Sequence, residues 1–214
     1  MQPQPAPRNH GITEAPKHFD MITAPMRIGR VRLKVRDLEK VSAFYQSAMG
    51  LSPIRKDDGR VTLGTGRAAL LEPVADPSFL PGDKRQTGLF HTAFIMPTRA
   101  DLARWLGLAR RTGLRLQGAS DHIVSKAIYL SEPEGNGIEV YVDRAVSNWH
   151  DTKGNIQMAT NPLDFQDLLK AAGDKRWVEY PQDGSIGPAI AVGLANAAAR
   201  VVVLASRRSP PLTK

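Results

Sequence analysis

The feature that most constrains this chain of 214 residues is an internal repeat. Residues 27–36, RIGRVRLKVR, alternate apolar and polar side chains, which predicts a half-buried strand. Residues 38–50 then place apolar side chains at helical spacing and end in a glycine, which predicts a helix. Turns rich in Gly and Asp separate the stretches that follow, and we interpret these stretches as strands. They are LSPIRK, RVTLG and RAALLEPV.

The same order of patterns returns after a connecting loop. The second set is GLFHTAFIMP, TRADLARWLGLARRTG, LRLQGAS, HIVSKAIYL and GIEVYV. A repeat of this size indicates two copies of one supersecondary unit. We therefore predict an α+β fold in which residues 26–143 form two paired βαβββ modules, 26–74 and 88–143, followed by a C-terminal extension.

The segments outside the modules differ from them in composition. Residues 1–25 are rich in proline and lack the apolar stretch of a secretory signal, so we interpret them as a flexible arm. Residues 144–214 are interpreted as a linker, a short helix capped by Asn161 with Pro162 at its first position, and a tail of uncertain structure. The Ala/Val-rich tail is too weakly apolar for the ~20-residue stretch that a membrane span needs, so we predict no membrane contact.

Composition excludes some kinds of site. The chain has no cysteine, so disulfides, thiolate-bound zinc and iron–sulfur clusters are excluded, and the composition suits a cytoplasmic protein. Its net charge of +8 favours anionic partners. The basic residues are spread out and no nucleic-acid motif accompanies them, so we predict a solvated basic surface and no nucleic-acid partner.

One carboxylate stands out in the last predicted strand, GIEVY. Burying an unpaired carboxylate costs several kcal/mol, so Glu139 needs a partner or a function. Strand alternation puts Glu139 on the face of Tyr141 and opposite Ile138 and Val140. The tight turn SEPEGN brings Tyr129 back towards the same face.

These motifs resemble those of the vicinal oxygen chelate superfamily, which includes glyoxalase I, fosfomycin-resistance proteins and extradiol dioxygenases. RVRLKVRDLEKVSAFYQSAMGL is similar to the opening of a first module, and GLFHTAFIMPTRADLARWL to the opening of a second. DHIVSKAIYLSEPEGNGIEVYVDR resembles the closing strands of catechol 2,3-dioxygenase-like members.

The resemblance implies an extradiol ring-cleaving dioxygenase that acts on a catechol-type aromatic diol with O2. It implies that His91 and Glu139 bind a metal, with iron(II) as first choice and manganese(II) as second. It further implies that His122 is the acid–base residue and that Tyr129 contacts the substrate. Module pairing in this superfamily makes a homodimer the expected assembly.

One position departs from the pattern. Where the resemblance predicts a first-strand histidine ligand, the chain has Arg30, and a guanidinium has no lone pair to give a metal. Three explanations stay open: a partner module supplies the ligand, the chain is a truncated or frame-shifted form of a longer enzyme, or Arg30 meets an anionic ligand. The last corresponds to a non-catalytic small-molecule binding or sequestering protein of the same fold. A glyoxalase-type lyase or isomerase is a third functional class.

Overall fold

The computed structural model describes residues 27–66, 68–80, 88–174, 192–195 and 202–206. Module 1 consists of β1 (Arg27–Val35), α1 (Leu38–Met49), β2 (Ser52–Asp57), β3 (Arg60–Thr65) and β4 (Ala68–Ala75). Module 2 consists of β5 (Gly88–Ile95), α2 (Arg99–Thr112), β6 (Leu116–Asp121), β7 (Ser125–Ser131) and β8 (Gly137–Asp143). The α+β class and the repeated βαβββ order are therefore confirmed.

The described elements beyond the modules are short. They are a 3-10 turn (Val146–Asn148), β9 (Asn161–Pro162), α3 (Phe165–Lys170), β10 (Val192–Ala195) and β11 (Val202–Ser206). One sheet has the order β11-β1-β4-β3-β2 and the other β10-β5-β8-β7-β6-β9. In each module the first strand runs parallel to the last, the helix and the two middle strands connect them, and the remaining neighbours within the module are antiparallel.

Local signals in the sequence define both long helices. The Asp37 side chain accepts a hydrogen bond from the Lys40 N–H at the start of α1, and Thr98 accepts one from the Asp101 N–H at the start of α2. Gly50 and Gly113 end these helices in the left-handed conformation, with φ of 69° and 68°.

One face of each sheet packs against helices and forms the core. Helix α1 lies against β3 and β4, whereas α2 lies against β8 and α3. The buried residues alternate along β8, where Ile138, Val140 and Val142 point into the core. The polar members of the same strands, including Glu139, therefore lie on the opposite face, where the candidate site forms.

Two local predictions were wrong. The predicted strand HIVSKAIYL begins only at Ser125, because Ile123 has φ of 71° and so places His122 in a turn before β7. The helix predicted from Asn161 begins at Phe165, with Asp164 as its cap. Asn161 and Pro162 instead extend the sheet beside β6, a long-range pairing that local capping patterns do not reveal.

The predicted arm, residues 1–25, lies outside the described residues. Of the predicted tail, 192–195 and 202–206 are described, and they add a strand to the outer side of β5 and of β1. No helix in the described ranges is both long and apolar enough to cross a bilayer.

Candidate active site

The first and last strands of module 2 bring His91 and Glu139 together. Their parallel register puts His91 opposite Gly137 and Ala93 opposite Glu139. His91 Nε2 lies 2.8 Å from Glu139 Oε2, and the two side chains are only 15% and 13% exposed. A Cβ at Gly137 would lie 2.3 Å from the Phe90 carbonyl oxygen and 3.1 Å from His91 Cβ. The glycine is therefore needed for the close approach of β8 to His91.

Tyr129 joins this pair from the neighbouring strand. It lies directly opposite Glu139 in the antiparallel β7–β8 ladder, and its hydroxyl donates to Glu139 Oε1 at 3.1 Å. Burial, followed by the charge of Glu139 and the hydrogen bond to it, raises the pKa of Tyr129 well above its usual value. The Tyr129 hydroxyl therefore keeps its proton at neutral pH.

His122 extends the series from the turn between β6 and β7. Its Nε2 lies 2.8 Å from the Tyr129 hydroxyl oxygen, and its Nδ1 lies 2.7 Å from the carbonyl oxygen of Ala159. A carbonyl oxygen can only accept, so Nδ1 must carry a proton. The backbone of residue 159 thereby selects the tautomer that leaves Nε2 facing Tyr129.

The Tyr129 hydroxyl contacts two neighbours but has only one proton to donate. When His122 is neutral, its Nε2 is an acceptor, and the Tyr129 proton satisfies either His122 or Glu139. When His122 is an imidazolium, Nε2 donates to the Tyr129 oxygen and the Tyr129 proton is free for Glu139. The series from His122 to Glu139 can therefore pass a proton along its length.

A strained turn holds His122 in place. Ile123 is the one residue other than glycine with positive φ among the described residues, an unfavourable conformation for a β-branched side chain. Asp121 Oδ1 accepts from the Ile123 N–H at 3.0 Å, and the other oxygen of Asp121 pairs with Arg144. Strain retained beside a candidate acid–base group is typical of functional sites.

Tyr141 and Asp143 extend the polar face of β8 beyond Glu139. Alternation from Glu139 places Tyr141 and Asp143 on the same side of β8. Burial and the charge of Glu139 raise the pKa of Asp143, and burial, Asp143 and Glu139 raise that of Tyr141. The period-two pattern that singled out Glu139 could also have identified Asp143, whereas no local signal indicates Ala159.

The Arg30 side chain forms an ion pair within module 1. Its Nη1 lies 2.9 Å from Oε2 of Glu72 on β4, and Arg32 Nη2 lies 2.8 Å from the other oxygen. Glu72 is only 2% exposed. The residue at the expected third ligand position is thus committed to an ion pair within module 1.

Comparison with known proteins decides the family. Residues 27–140 match the model of the Glyoxalase/Bleomycin resistance protein/Dioxygenase superfamily. The chain belongs to this superfamily.

Among curated proteins, the chain is 39% identical over 163 residues to a catechol-2,3-dioxygenase from Bacillus subtilis (strain 168), covering 75% of this chain and 57% of that protein. It therefore spans little more than half the length of this relative. It is 27% identical over 165 residues to a biphenyl-2,3-diol 1,2-dioxygenase 3 from Rhodococcus globerulus, covering 70% of this chain and 85% of that protein. A solved glyoxalase/dioxygenase from Nostoc punctiforme is 18% identical, with a TM-score of 0.48, over 63% of this chain and 99% of that chain.

The superfamily resemblance implies a divalent metal, and the side chains present are of the chemical types that bind such an ion. Neighbouring nitrogen and oxygen ligands at about 2.1 Å from one ion lie about 3 Å apart, close to the 2.8 Å between His91 Nε2 and Glu139 Oε2. His91 offers an imidazole and Glu139 a carboxylate. Iron(II) oxygenases with two histidines and one carboxylate as ligands use these two donor types. No group of three or more His, Cys, Asp or Glu side chains suited to a metal occurs within the described ranges, so the pair of His91 and Glu139 stands without a third such side chain there.

Proposed function

We propose that this chain is an extradiol dioxygenase that cleaves the ring of a catechol-type aromatic diol beside its hydroxyl groups, with both atoms of O2 entering the product. The observation that carries the proposal is the unbroken series of contacts from His91 through Glu139 and Tyr129 to His122. It joins two side chains suited to a metal to a protonated tyrosine and a tautomer-locked histidine. The similarity to two dioxygenases supports the same reaction class.

Each residue of the series has a distinct role in this proposal. His91 and Glu139 would hold iron(II), with manganese(II) as second choice, and the bound ion would act as template and Lewis acid for the two diol oxygens. Tyr129 keeps its proton and donates it as a hydrogen bond to a substrate oxygen. His122, whose Nδ1–H is held by Ala159, uses Nε2 to accept and return a proton of the diol.

The missing ligand bears on the assembly. Arg30 is held by Glu72 and cannot bind the ion, so a third protein ligand has to come from another part of the assembly. We propose a cytoplasmic homodimer in which a module of the second copy contributes it. Sedimentation of the metal-loaded chain as a dimer, and of the apo chain as a weaker one, is the expected result.

The test is metal analysis and oxygen uptake on the full chain after anaerobic loading with iron(II). Bound iron, oxygen consumption with catechol and a yellow ring-fission product are expected. Replacing Glu139 by Ala should abolish metal binding and leave the far-UV circular dichroism unchanged. The exposed Glu39 of α1 provides the control, since E39A should bind metal as the parent does. A chain that neither retains iron nor consumes oxygen would contradict the proposal.

One observation favours a second candidate. The ion pair of Arg30 with Glu72 puts two charged side chains at a position where a metal ligand was expected. This suits a small-molecule binding protein of the same fold that works without a metal. Calorimetric binding of catechol in the presence of a chelator, equal in the parent and in E139A, would support that candidate over the enzyme.

A further inference from the structure

The strand register shows that module 1 carries a counterpart of the candidate active site. Val31 lies opposite Leu71 in the parallel β1–β4 pair, as Thr92 lies opposite Ile138 in β5–β8. One residue before Val31 is Arg30, and one residue before Thr92 is His91. Likewise, Glu72 follows Leu71 as Glu139 follows Ile138. Arg30 and Glu72 therefore occupy in module 1 the positions of His91 and Glu139 in module 2.

The side chains at this counterpart carry an excess of positive charge. We define the guanidinium cluster as Arg30, Arg32 and Arg60 around the buried Glu72. Arg30 and Arg32 contact its two oxygens at 2.9 and 2.8 Å, and Arg60 Nη1 lies 4.0 Å from Oε1. Three guanidinium groups thus share one carboxylate. Arg60 also contacts Asp57, but that carboxylate is already paired with Arg55, so the excess is not removed.

Glu72 contacts only a few of the hydrogen-bond donors of the cluster. A guanidinium has five N–H groups, and Glu72 contacts a single nitrogen of Arg30 and of Arg32. Arg32 Nε is buried and has no hydrogen-bond partner among the described residues. The contact with Glu72 therefore leaves part of the donor capacity of Arg32 unused within the described residues. The Arg30 and Arg32 side chains are 31% and 34% exposed, so their outer edges can be reached from solvent.

We propose that the guanidinium cluster is a binding site for a small oxyanion, in which a carboxylate or phosphate lies against the outer edges of Arg30 and Arg32. Forked N–H donors match the paired oxygens of such groups, and the uncompensated charge favours a second anion beside Glu72. Module 1 would then accept an anion at the position where module 2 presents metal-type ligands. This inference does not rest on the proposed ring-cleaving activity.

The test follows the arginine side chains of the cluster directly. The full chain is labelled with 15N-arginine, and the Nε–Hε resonances are followed by NMR during titration with benzoate, inorganic phosphate or chloride at equal ionic strength. A saturable shift of the Arg32 resonance with benzoate or phosphate is expected, and the stronger of the two identifies the oxyanion source. Arg30→Gln should weaken binding about tenfold, the loss expected for one charge-assisted hydrogen bond.

A matched control distinguishes specific binding at the guanidinium cluster from a general electrostatic effect of positive surface charge. Lys34 lies on the same face of β1 but pairs with Asp76 instead of Glu72, so K34Q removes the same charge outside the cluster. Its affinity should stay within about twofold of the parent. Arg32→Lys keeps the charge but loses the forked donors, so it should also weaken binding. It replaces R30Q as the test variant if R30Q does not fold. Equal weakening by K34Q, or shifts that follow ionic strength alone, would overturn the proposal.

Discussion

At the scale of single residues, Tyr129 links the two chemical halves of the candidate site. It contacts the carboxylate of Glu139 on one side and the imidazole of His122 on the other. Its raised pKa keeps it a hydrogen-bond donor over the whole neutral range. The contact between His91 and Glu139 does not pass through it. Removing the hydroxyl should therefore separate proton transfer from metal binding.

Replacing Tyr129 by Phe tests this separation. We expect ring cleavage to slow by about 100-fold, at the lower end of what positioned proton transfer contributes. The iron content should be unchanged. Steady-state oxygen uptake and metal analysis on the same samples measure both. Tyr141→Phe, on the same face of β8 but outside the contact series, should lose much less activity. Equal losses in the two variants would contradict the role of Tyr129.

At the scale of elements, the turn between β7 and β8 caps a helix of the other module. The Glu134 carboxylate accepts from the backbone N–H groups of Arg36, at 2.9 Å, and Asp37, at 2.7 Å, immediately before α1. Negative charge at this end of a helix also interacts favourably with the helix dipole. The turn of module 2 thereby helps to fix the position of module 1.

Replacing Glu134 by Gln keeps one acceptor oxygen and removes the charge. We expect the free energy of unfolding to fall by about 1–2 kcal/mol, since hydrogen bonds to charged groups exceed neutral ones by that order. Urea unfolding followed by circular dichroism measures the difference. Glu39→Gln, an exposed carboxylate in the first turn of the same helix, should change it by less than about 0.5 kcal/mol. An E134Q chain as stable as E39Q would show that the cap is not significant.

The same turn contains a buried carboxylate. Glu132 is 3% exposed and accepts from the backbone N–H groups of Glu134 and Asn136 and from the Asn136 amide. Burial raises the pKa of Glu132, and these hydrogen bonds only partly offset the effect. The folded chain therefore holds this proton to higher pH than the unfolded chain, whose glutamate pKa is about 4.3.

The sign of the pH dependence follows from this difference. Where the folded state binds more protons, the free energy of unfolding falls as pH rises. We expect the stability of the parent relative to Glu132→Gln to decline from about pH 4 upwards and to level off above the raised pKa of Glu132. Urea unfolding of both chains at several pH values measures this decline. A difference that increases with pH would contradict the assigned direction.

At the scale of the whole molecule, the two modules share one core between their helices. Trp105 of α2 is fully buried and donates its indole N–H to the Ala48 carbonyl oxygen at 2.9 Å. Ala48 is in the last turn of α1, where carbonyl groups lack partners within the helix. The rings of Tyr45 and Phe94, one from each module, lie 6.2 Å apart in the same core. The modules should therefore unfold together.

Replacing Trp105 by Phe tests this coupling. The variant loses the hydrogen bond to Ala48 and leaves a cavity, so we expect a loss of about 2–4 kcal/mol and a single unfolding transition. Trp149 is the matched control, because it donates a similar bond to the Arg144 carbonyl oxygen but is partly exposed. W149F should lose about 1 kcal/mol or less. Two separate transitions, of which only one shifts in W105F, would contradict a shared core.

Features that depend on neighbouring residues were predictable from the sequence. The ends of α1 and α2 follow from capping side chains and glycines a few residues apart, and the repeat follows from periodicity. The face of Glu139 follows from alternation along one strand. The opposition of Tyr129 to Glu139 needed only the short turn between their strands, because that turn determines the register.

The sequence by itself therefore determined the fold class, the helix ends and which residues of each strand share a face, because these depend on local backbone and side-chain geometry. Only the tertiary structure decided that Arg30 pairs with Glu72, that Ala159 sets the tautomer of His122, and that Asn161 joins a sheet. Each of these contacts joins residues far apart in the chain. Such contacts depend on how strands align and where loops return, which no local pattern encodes.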